Sequence, residues 1–218
     1  MRLPVNLVNV RVVFSKTHKG IDFGFDSKVL GKNQPIYAVE DGTVIYNRKQ
    51  TTGGYVIHIR HDNGYVTEYG HLKKDSQLVK EGNKVKKGQQ IAQMGGSGIV
   101  TGNHLHFGMY KGKSINYKDK SKFVDPKEYL CLYPEQTYRS NSKIKDFATT
   151  RVVTGVPVTK KYDWLNVNNS KGEAVGKVYN GDIVENFGDK KIKINGKYVN
   201  CICIDNIKKL YIAKNYTK

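Results

Sequence analysis

The chain has 218 residues, 37 Lys+Arg against 19 Asp+Glu, a formal net charge of +18 and 38% hydrophobic residues. Such a length holds one large or two small domains with real cores, and such a hydrophobic content excludes a disordered chain. The charge favours polyanions (nucleic acid, an anionic membrane or a teichoic-acid-bearing cell wall) without choosing among them, while no apolar run approaches membrane-spanning length.

Met1–Asn6 shows neither an apolar h-region nor a small-residue cleavage site, so no signal peptide is visible. Short apolar pieces, Leu7-Val8 and Val12-Val13-Phe14, lead to His18-Lys19-Gly20-Ile21-Asp22-Phe23-Gly24. Ile21 and Phe23 alternate with Asp22 as in a strand, which sets the carboxylate opposite its apolar neighbours, with His18 entering from the preceding loop. A loop His and a strand Asp make half of a zinc site. Taken alone, H-x-x-x-D more often describes a solvated His and a half-exposed Asp.

Residues 25–34 read as a loop. Pro35–Tyr46 reads as strand, Asp41-Gly42 turn and strand, that is, a hairpin. Asn47–Gly54 reads as a polar, basic loop. Tyr55–His61 and Tyr65–Leu72 read as strands joined by the turn Asp62-Asn63-Gly64. Turn glycines at 82 and 88 carry the pattern to Gln90–Met94, and the glycine-rich Gly95–Gly102 follows. That loop lacks a Gly-Lys-Ser/Thr and opens into a strand, so it is no phosphate loop. The strand is His104-Leu105-His106-Phe107, whose two imidazoles share one face and whose two apolar side chains share the other. Imidazole is both the commonest metal ligand and the usual proton carrier near neutral pH, so the pair could serve a metal, a reaction, or both. His58 and His61, on the strand at 55–61 and at its end, carry a structural expectation.

Lys111–Lys122 reads as a basic loop, and Val124–Leu130 as a closing helical turn with Asp125 as cap and Pro126 at its first position. Periodicity then lapses, giving a linker at 135–150 between a domain at 1–134 and another at 151–218. In the second, strands are expected at Leu165–Asn168, Ala174–Val178, Asp182–Glu185, Lys191–Ile194 and Tyr198–Ile204. Tyr162, Trp164 and Tyr179 could line a groove there or fill the core. Cys131, Cys201 and Cys203 are odd in number and lack zinc-finger spacing, so no disulfide framework or Cys-based metal site is indicated. Both parts are basic: residues 151–218 carry 13 basic and 6 acidic residues (+7), which leaves 24 and 13 (+11) for 1–150. Many short strands between turns indicate an all-β, antiparallel architecture, a sandwich or barrel-like sheet followed by a small β-barrel. No recognition helix and no aromatic–basic RNA signature is present, so nucleic acid is not the expected partner.

Three separated elements thus offer ligand-type residues at or beside strand ends: His18-Lys19-Gly20-Ile21-Asp22, Tyr69-Gly70-His71-Leu72 and Gly102-Asn103-His104-Leu105-His106-Phe107. Together with Pro35–Val44, Ile57–Gly64 and Val85–Ile91, they give residues 15–130 a strong resemblance to the M23 (lysostaphin/LytM-type) zinc peptidoglycan endopeptidases. The C-terminal part, from Trp164-Leu165-Asn166-Val167-Asn168 through Val175–Val184, resembles a bacterial SH3-type (SH3b) wall-binding domain. The resemblance implies Zn²⁺ held by His18, Asp22 and His106, with water in the fourth place and its pKa lowered toward about 7. It implies that His71 and His104 do not ligate but share the roles of general base and of stabiliser of the oxyanion and leaving amine. The implied substrate is the peptide cross-link or bridge of bacterial peptidoglycan. The implied partner of 151–218 is a wall polymer, and the implied place of action is the bacterial cell wall, without membrane insertion. With no leader visible and a binding domain appended, the expectation is a phage-type or tail-associated lysin. The alternative is a non-catalytic wall-binding or amidase-activating module of the same fold.

Overall fold

The structure is a computed structural model and describes residues 1–25, 31–132, 137–138, 148–152, 164–168, 170–179, 183–186, 189–195, 197–205 and 210–214. Among these there is no α-helix, only strands and two 3-10 turns, Lys120–Lys122 and Pro126–Glu128. The second turn begins at Pro126, as the Asp-Pro signal predicts. Contacts divide the chain into two compact units: Met1–Pro126 with Pro134–Asp146, and Lys127–Tyr133 with Phe147–Lys218.

The first unit contains β1 (Leu7–Val8), β2 (Val10–Val12), β3 (Ile21–Gly24), β4 (Pro35–Tyr37), β5 (Gly42–Gln50), β6 (Gly54–Arg60), β7 (Tyr65–Leu72), β8 (Lys84–Val85), β9 (Gln90–Gln93) and β10 (His104–Lys111). Seven of them form one sheet in the order β2-β3-β10-β7-β6-β5-β8. Every neighbouring pair in it is antiparallel. The β6–β7 hairpin follows from the turn at 62–64. Its central strands keep one face apolar: Phe23, Ile57, Ile59, Tyr69, Leu105, Phe107 and Met109 are fully buried. On that face Phe107 packs edge-on against Tyr69, with ring centroids 5.3 Å apart, and at 6.5 Å from Phe23. The Tyr69 hydroxyl accepts the Val39 N–H at 3.1 Å, which ties the segment after β4 to this face.

Two expectations are corrected. Residues 35–46 do not form a hairpin: β4 pairs with β9, while β5 pairs with β6 and β8. Residues 39–41 make only a bend, and each flanking strand finds its partner elsewhere, where Ile36 and Val44 become buried. Asn47–Gly54 is not mainly loop, because β5 runs on to Gln50 opposite Gly54. Its polar side chains are tolerated because that end of β5 is only half-buried to exposed.

The remaining strands are β11 (Cys131–Leu132), β12 (Thr137–Tyr138), β13 (Ala148–Val152), β14 (Trp164–Asn168), β15 (Ala174–Tyr179), β16 (Ile183–Asn186), β17 (Asp189–Ile194), β18 (Lys197–Asp205) and β19 (Leu210–Ala213). In the first unit β12 pairs in parallel with β1. In the second unit five strands run β15-β14-β19-β18-β17 and three run β11-β13-β16. β14 to β18 fall on the strand-like runs of the sequence, and β19 is an addition to them. Ile192, Cys201 and Tyr211 form a buried cluster. Trp164 stands opposite Tyr179 in the β14–β15 ladder. Tyr162 and most of the expected linker lie outside the described residues.

Truncating Phe107 would leave a cavity at the centre of the first unit's core. Phe107→Ala is expected to destabilise the protein by about 3–5 kcal/mol. Leu78→Ala, at a side chain 63% exposed, is expected to change stability by less than about 0.5 kcal/mol. Urea unfolding of both variants checks this contrast.

Candidate metal centre

The site grows from one cross-strand row. In the ladders, His106 stands opposite Asp22 of β3 on one side and Gly70 of β7 on the other. Side chains at facing positions on one side of a sheet are close enough to interact directly. The His106 Nδ1 lies 3.0 Å from Asp22 Oδ1. The His18 Nε2, arriving from the loop before β3, lies 3.0 Å from the same oxygen. His104, two residues before His106 on the same face, places its Nε2 3.8 Å from the other carboxylate oxygen.

His71 reaches the site by a different device. Strand alternation would send it to the face opposite Gly70. Between the pairs Tyr55–Leu72 and Ile57–Tyr69, however, two residues of β7 oppose one of β6, a β-bulge. His71 sits in the bulge with φ +59°, a left-handed conformation that costs a non-glycine residue of order 1 kcal/mol. The turn brings its ring to the histidine face, 4.7 Å from the ring of His104 and 6.2 Å from that of His106.

Backbone carbonyls fix the tautomers. A carbonyl only accepts, so the facing ring nitrogen carries the proton. His18 Nδ1–H points to Val13 O at 3.3 Å, His71 Nδ1–H to Ser97 O at 2.9 Å and His104 Nδ1–H to Gly102 O at 2.9 Å. Each of the three is left with Nε2 for the site. Burial opposes ionisation of Asp22, yet hydrogen bonds from His106 and His18 outweigh it and hold the carboxyl far below its ordinary value. The bond to Asp22 in turn raises the pKa of His18, whereas burial lowers that of His71.

One ligand atom each from His18, Asp22 and His106 lies within 4.8 Å of the others. Two imidazole nitrogens and a carboxylate oxygen are a catalytic-zinc donor set, and bonds of about 2.0–2.1 Å put tetrahedral ligand atoms about 3.4 Å apart. The 3.0 Å separations across Asp22 Oδ1 are compatible with that spacing. The residues present therefore fit the ion. All five residues singled out in the sequence lie together. His58 and His61 do not join them: His61 is buried between Asp41 O at 2.7 Å and Thr67 Oγ1 at 2.8 Å, and His58 stacks on Tyr46.

The sequence model of peptidase family M23 matches residues 16–126, just over half of the 218-residue chain. The chain belongs to peptidase family M23. It is 42% identical over 128 residues to the peptidoglycan DD-endopeptidase ShyC of Vibrio cholerae, covering 59% of this chain and 28% of that protein. It is 39% identical over 100 residues to the peptidoglycan DD-endopeptidase ShyA of the same organism, covering 45% and 22%. The chain thus spans less than a third of the length of these relatives. Among solved structures it is similar to LytU, at 35% identity and a TM-score of 0.46, over 55% of this chain and 82% of that one.

Sequence reasoning did not single out the groups that support the five-residue cluster. Those are Gly70 opposite His106, the Val13 and Gly102 carbonyls, and Ser97. The only sequence signal was the glycine-rich run 95–98, because bonds to main-chain carbonyls leave no residue-type trace. A second polar group lies further along the same face. Glu68 is buried opposite both Gly108 and His58. The Tyr117 hydroxyl lies 3.1 Å from His58 Nε2 and accepts from Gln50 Nε2 at 3.2 Å.

Burial pushes the His58 pKa down from 6.5 to about 4. Between those values the unfolded chain binds more protons than the folded one, so stability falls as pH drops through that window. The contribution at stake is on the order of 3 kcal/mol. His58→Gln is expected to flatten the stability–pH curve between about pH 6.5 and 4 relative to the parent, as read by urea unfolding at several pH values.

Proposed function

We propose that the chain is a zinc-dependent endopeptidase that hydrolyses peptide cross-links of bacterial peptidoglycan. The observation that carries this reading is the cluster of His18, Asp22 and His106 within 4.8 Å, with the His71 and His104 rings packed beside it. Membership of M23 and relatives named as DD-endopeptidases support the reaction and the bond class. His18 Nε2, an Asp22 oxygen and His106 Nδ1 would hold the ion. Bound zinc would polarise the scissile carbonyl and acidify an attacking water toward about pKa 7. His71 and His104, each with Nδ1 committed to a carbonyl, present Nε2 as the site of proton exchange. One accepts the proton of the attacking water at Nε2 and, as the imidazolium so formed, passes it to the leaving amine; the other, when its Nε2 is protonated as well, donates a hydrogen bond to the oxyanion. The open competitor, a module that binds or activates without cleaving, gains nothing from five intact site residues.

Residues 151–218 are proposed as an SH3b-type wall-binding domain joined through 135–150 to the peptidase at 1–134. The five-stranded sheet and a net charge of +7 suit a small β unit drawn to an anionic wall polymer. The whole is read as a phage-type or tail-associated lysin acting at the cell wall.

The intact protein is expected to release new free amines from purified peptidoglycan, to lose that activity in a chelator and to regain it with Zn²⁺. Mass spectrometry of the fragments then identifies the bond. His106→Ala is expected to lose bound zinc. His104→Ala and His71→Ala are expected to keep it, with kcat reduced about 10²–10⁴-fold. Absence of free amines from every wall type, or full lytic activity in His71→Ala, overturns the reading. Retention of metal by His106→Ala overturns the ligand assignment.

A further inference from the structure

His71 occupies a conformation that a strand would not choose, and such conformations persist only where the surroundings over-determine them. The surroundings here are two loops, 51–54 and 95–99, locked together through main-chain atoms. Gly54 and Gly98 have φ of +66° and +85°. A Cβ on Gly54 would overlap Ser97 Oγ, and one on Gly98 would overlap the Thr52 carbonyl. The Ile99 N–H bonds to Thr52 O at 3.0 Å, and the His71 N–H bonds to Gly53 O at 2.8 Å.

Ser97 stands at the centre of this lock. Its hydroxyl accepts the Tyr55 N–H at 2.9 Å and donates to Leu72 O at 2.6 Å. Tyr55 and Leu72 are the facing pair at the end of the bulge. The hydroxyl therefore bridges β6 to β7 at the point where the ladder has been spread by the extra residue. The carbonyl of the same Ser97 takes the His71 Nδ1–H at 2.9 Å. One residue thus props the bulge that turns His71 around and selects the tautomer of the ring that emerges from it.

We propose that Ser97 is the positioning residue of His71: its hydroxyl holds the bulge, and its carbonyl keeps the proton on Nδ1 so that Nε2 faces the site as an acceptor. The proposal rests on the peptidase reading for its catalytic consequence, but its structural claim does not depend on turnover. A hydroxyl is what the site requires, because only a group that accepts and donates at once satisfies both Tyr55 N–H and Leu72 O. No other side chain among the described residues makes both of these bonds.

The test compares the parent protein, Ser97→Ala and Ser97→Thr by three measurements: bound zinc, ¹⁵N NMR of the His71 ring, and kcat and KM on cross-linked peptidoglycan fragments. The parent and Ser97→Thr are expected to carry the His71 proton on Nδ1. Ser97→Ala is expected to keep its zinc and to average His71 between tautomers. Its kcat is expected to fall about ten- to hundredfold, the scale of a small misplacement of a reacting group, with KM within about threefold. A parent protein with His71 protonated on Nε2 overturns the proposal, and that measurement needs no variant. So does a Ser97→Ala protein that keeps both the ring signature and kcat, or one that loses zinc along with them. A parent showing the Nδ1–H signature but no hydrolysis sinks the peptidase reading and supports the positioning role.

Discussion

The site depends on satisfying one carboxylate. Asp22 is largely withdrawn from water, and a buried carboxylate needs charge-assisted partners. It finds them only if β3 and β10 pair in the register that sets Asp22 opposite His106. A slip of one residue would exchange Asp22 for Ile21 or Phe23, placing two apolar side chains among imidazoles and a carboxylate in the core. The same register seats Phe107 against Phe23 and Tyr69 on the other face. Core packing and site assembly are therefore one constraint read from two sides of a sheet. The three-donor cluster is specified by the fold before any ion arrives.

This is why most of the cluster was legible in the sequence. Period-2 alternation places Asp22 between Ile21 and Phe23, and His104 and His106 around Leu105, and each of these strands has a face that must be apolar. His71 was not legible in that way. Alternation assigns it to the apolar face, and only family resemblance put it in the site. Its real position comes from a bulge, a local event that no periodic pattern encodes and that here is maintained by loops distant in sequence. The hairpin at 35–46 failed for a related reason. The Asp41-Gly42 pair signals a turn, but strand partners are chosen by tertiary burial. β4 gains a partner in β9, and β5 gains β6 and β8. In the second unit, runs such as Lys191–Ile194 carried clear alternation, whereas Leu210–Ala213 is a short apolar run that alternation does not flag.

Glycine in this chain shows how a residue type can carry functional information that spacing alone hides. In His18-Lys19-Gly20-Ile21-Asp22 the glycine immediately precedes β3. In the structure its backbone lies under the His106 ring: a Cβ there would stand 2.6 Å from Cε1 and 2.7 Å from Nε2. Gly70 is the cross-strand neighbour of that ring from the other side, where a Cβ would meet His106 Cβ at an ordinary 3.5 Å. The two therefore contribute differently. Gly20 is required because the ring occupies the space of its side chain. Gly70 leaves room on the histidine face where any larger residue would project toward the ligands.

That difference has an energetic consequence for the site as a whole. His106 is held on its Asp22 side by a hydrogen bond to that carboxylate and from beneath by the Gly20 backbone. His71 is held by main-chain partners on both its amide and its ring. His71 is thus fixed by backbone, and His106 in part, with the backbone positions set by sheet register and by the two interlocked glycine loops. Backbone donors and acceptors lose no rotamer entropy when they bind, so they position a group at lower entropic cost than long side chains would. The strain at His71 is the part of this arrangement that stability alone would not select. Other ladders of the same sheet also carry register shifts, but this bulge turns a positive-φ non-glycine residue to the histidine face, a strain that persists only where the surroundings over-determine it.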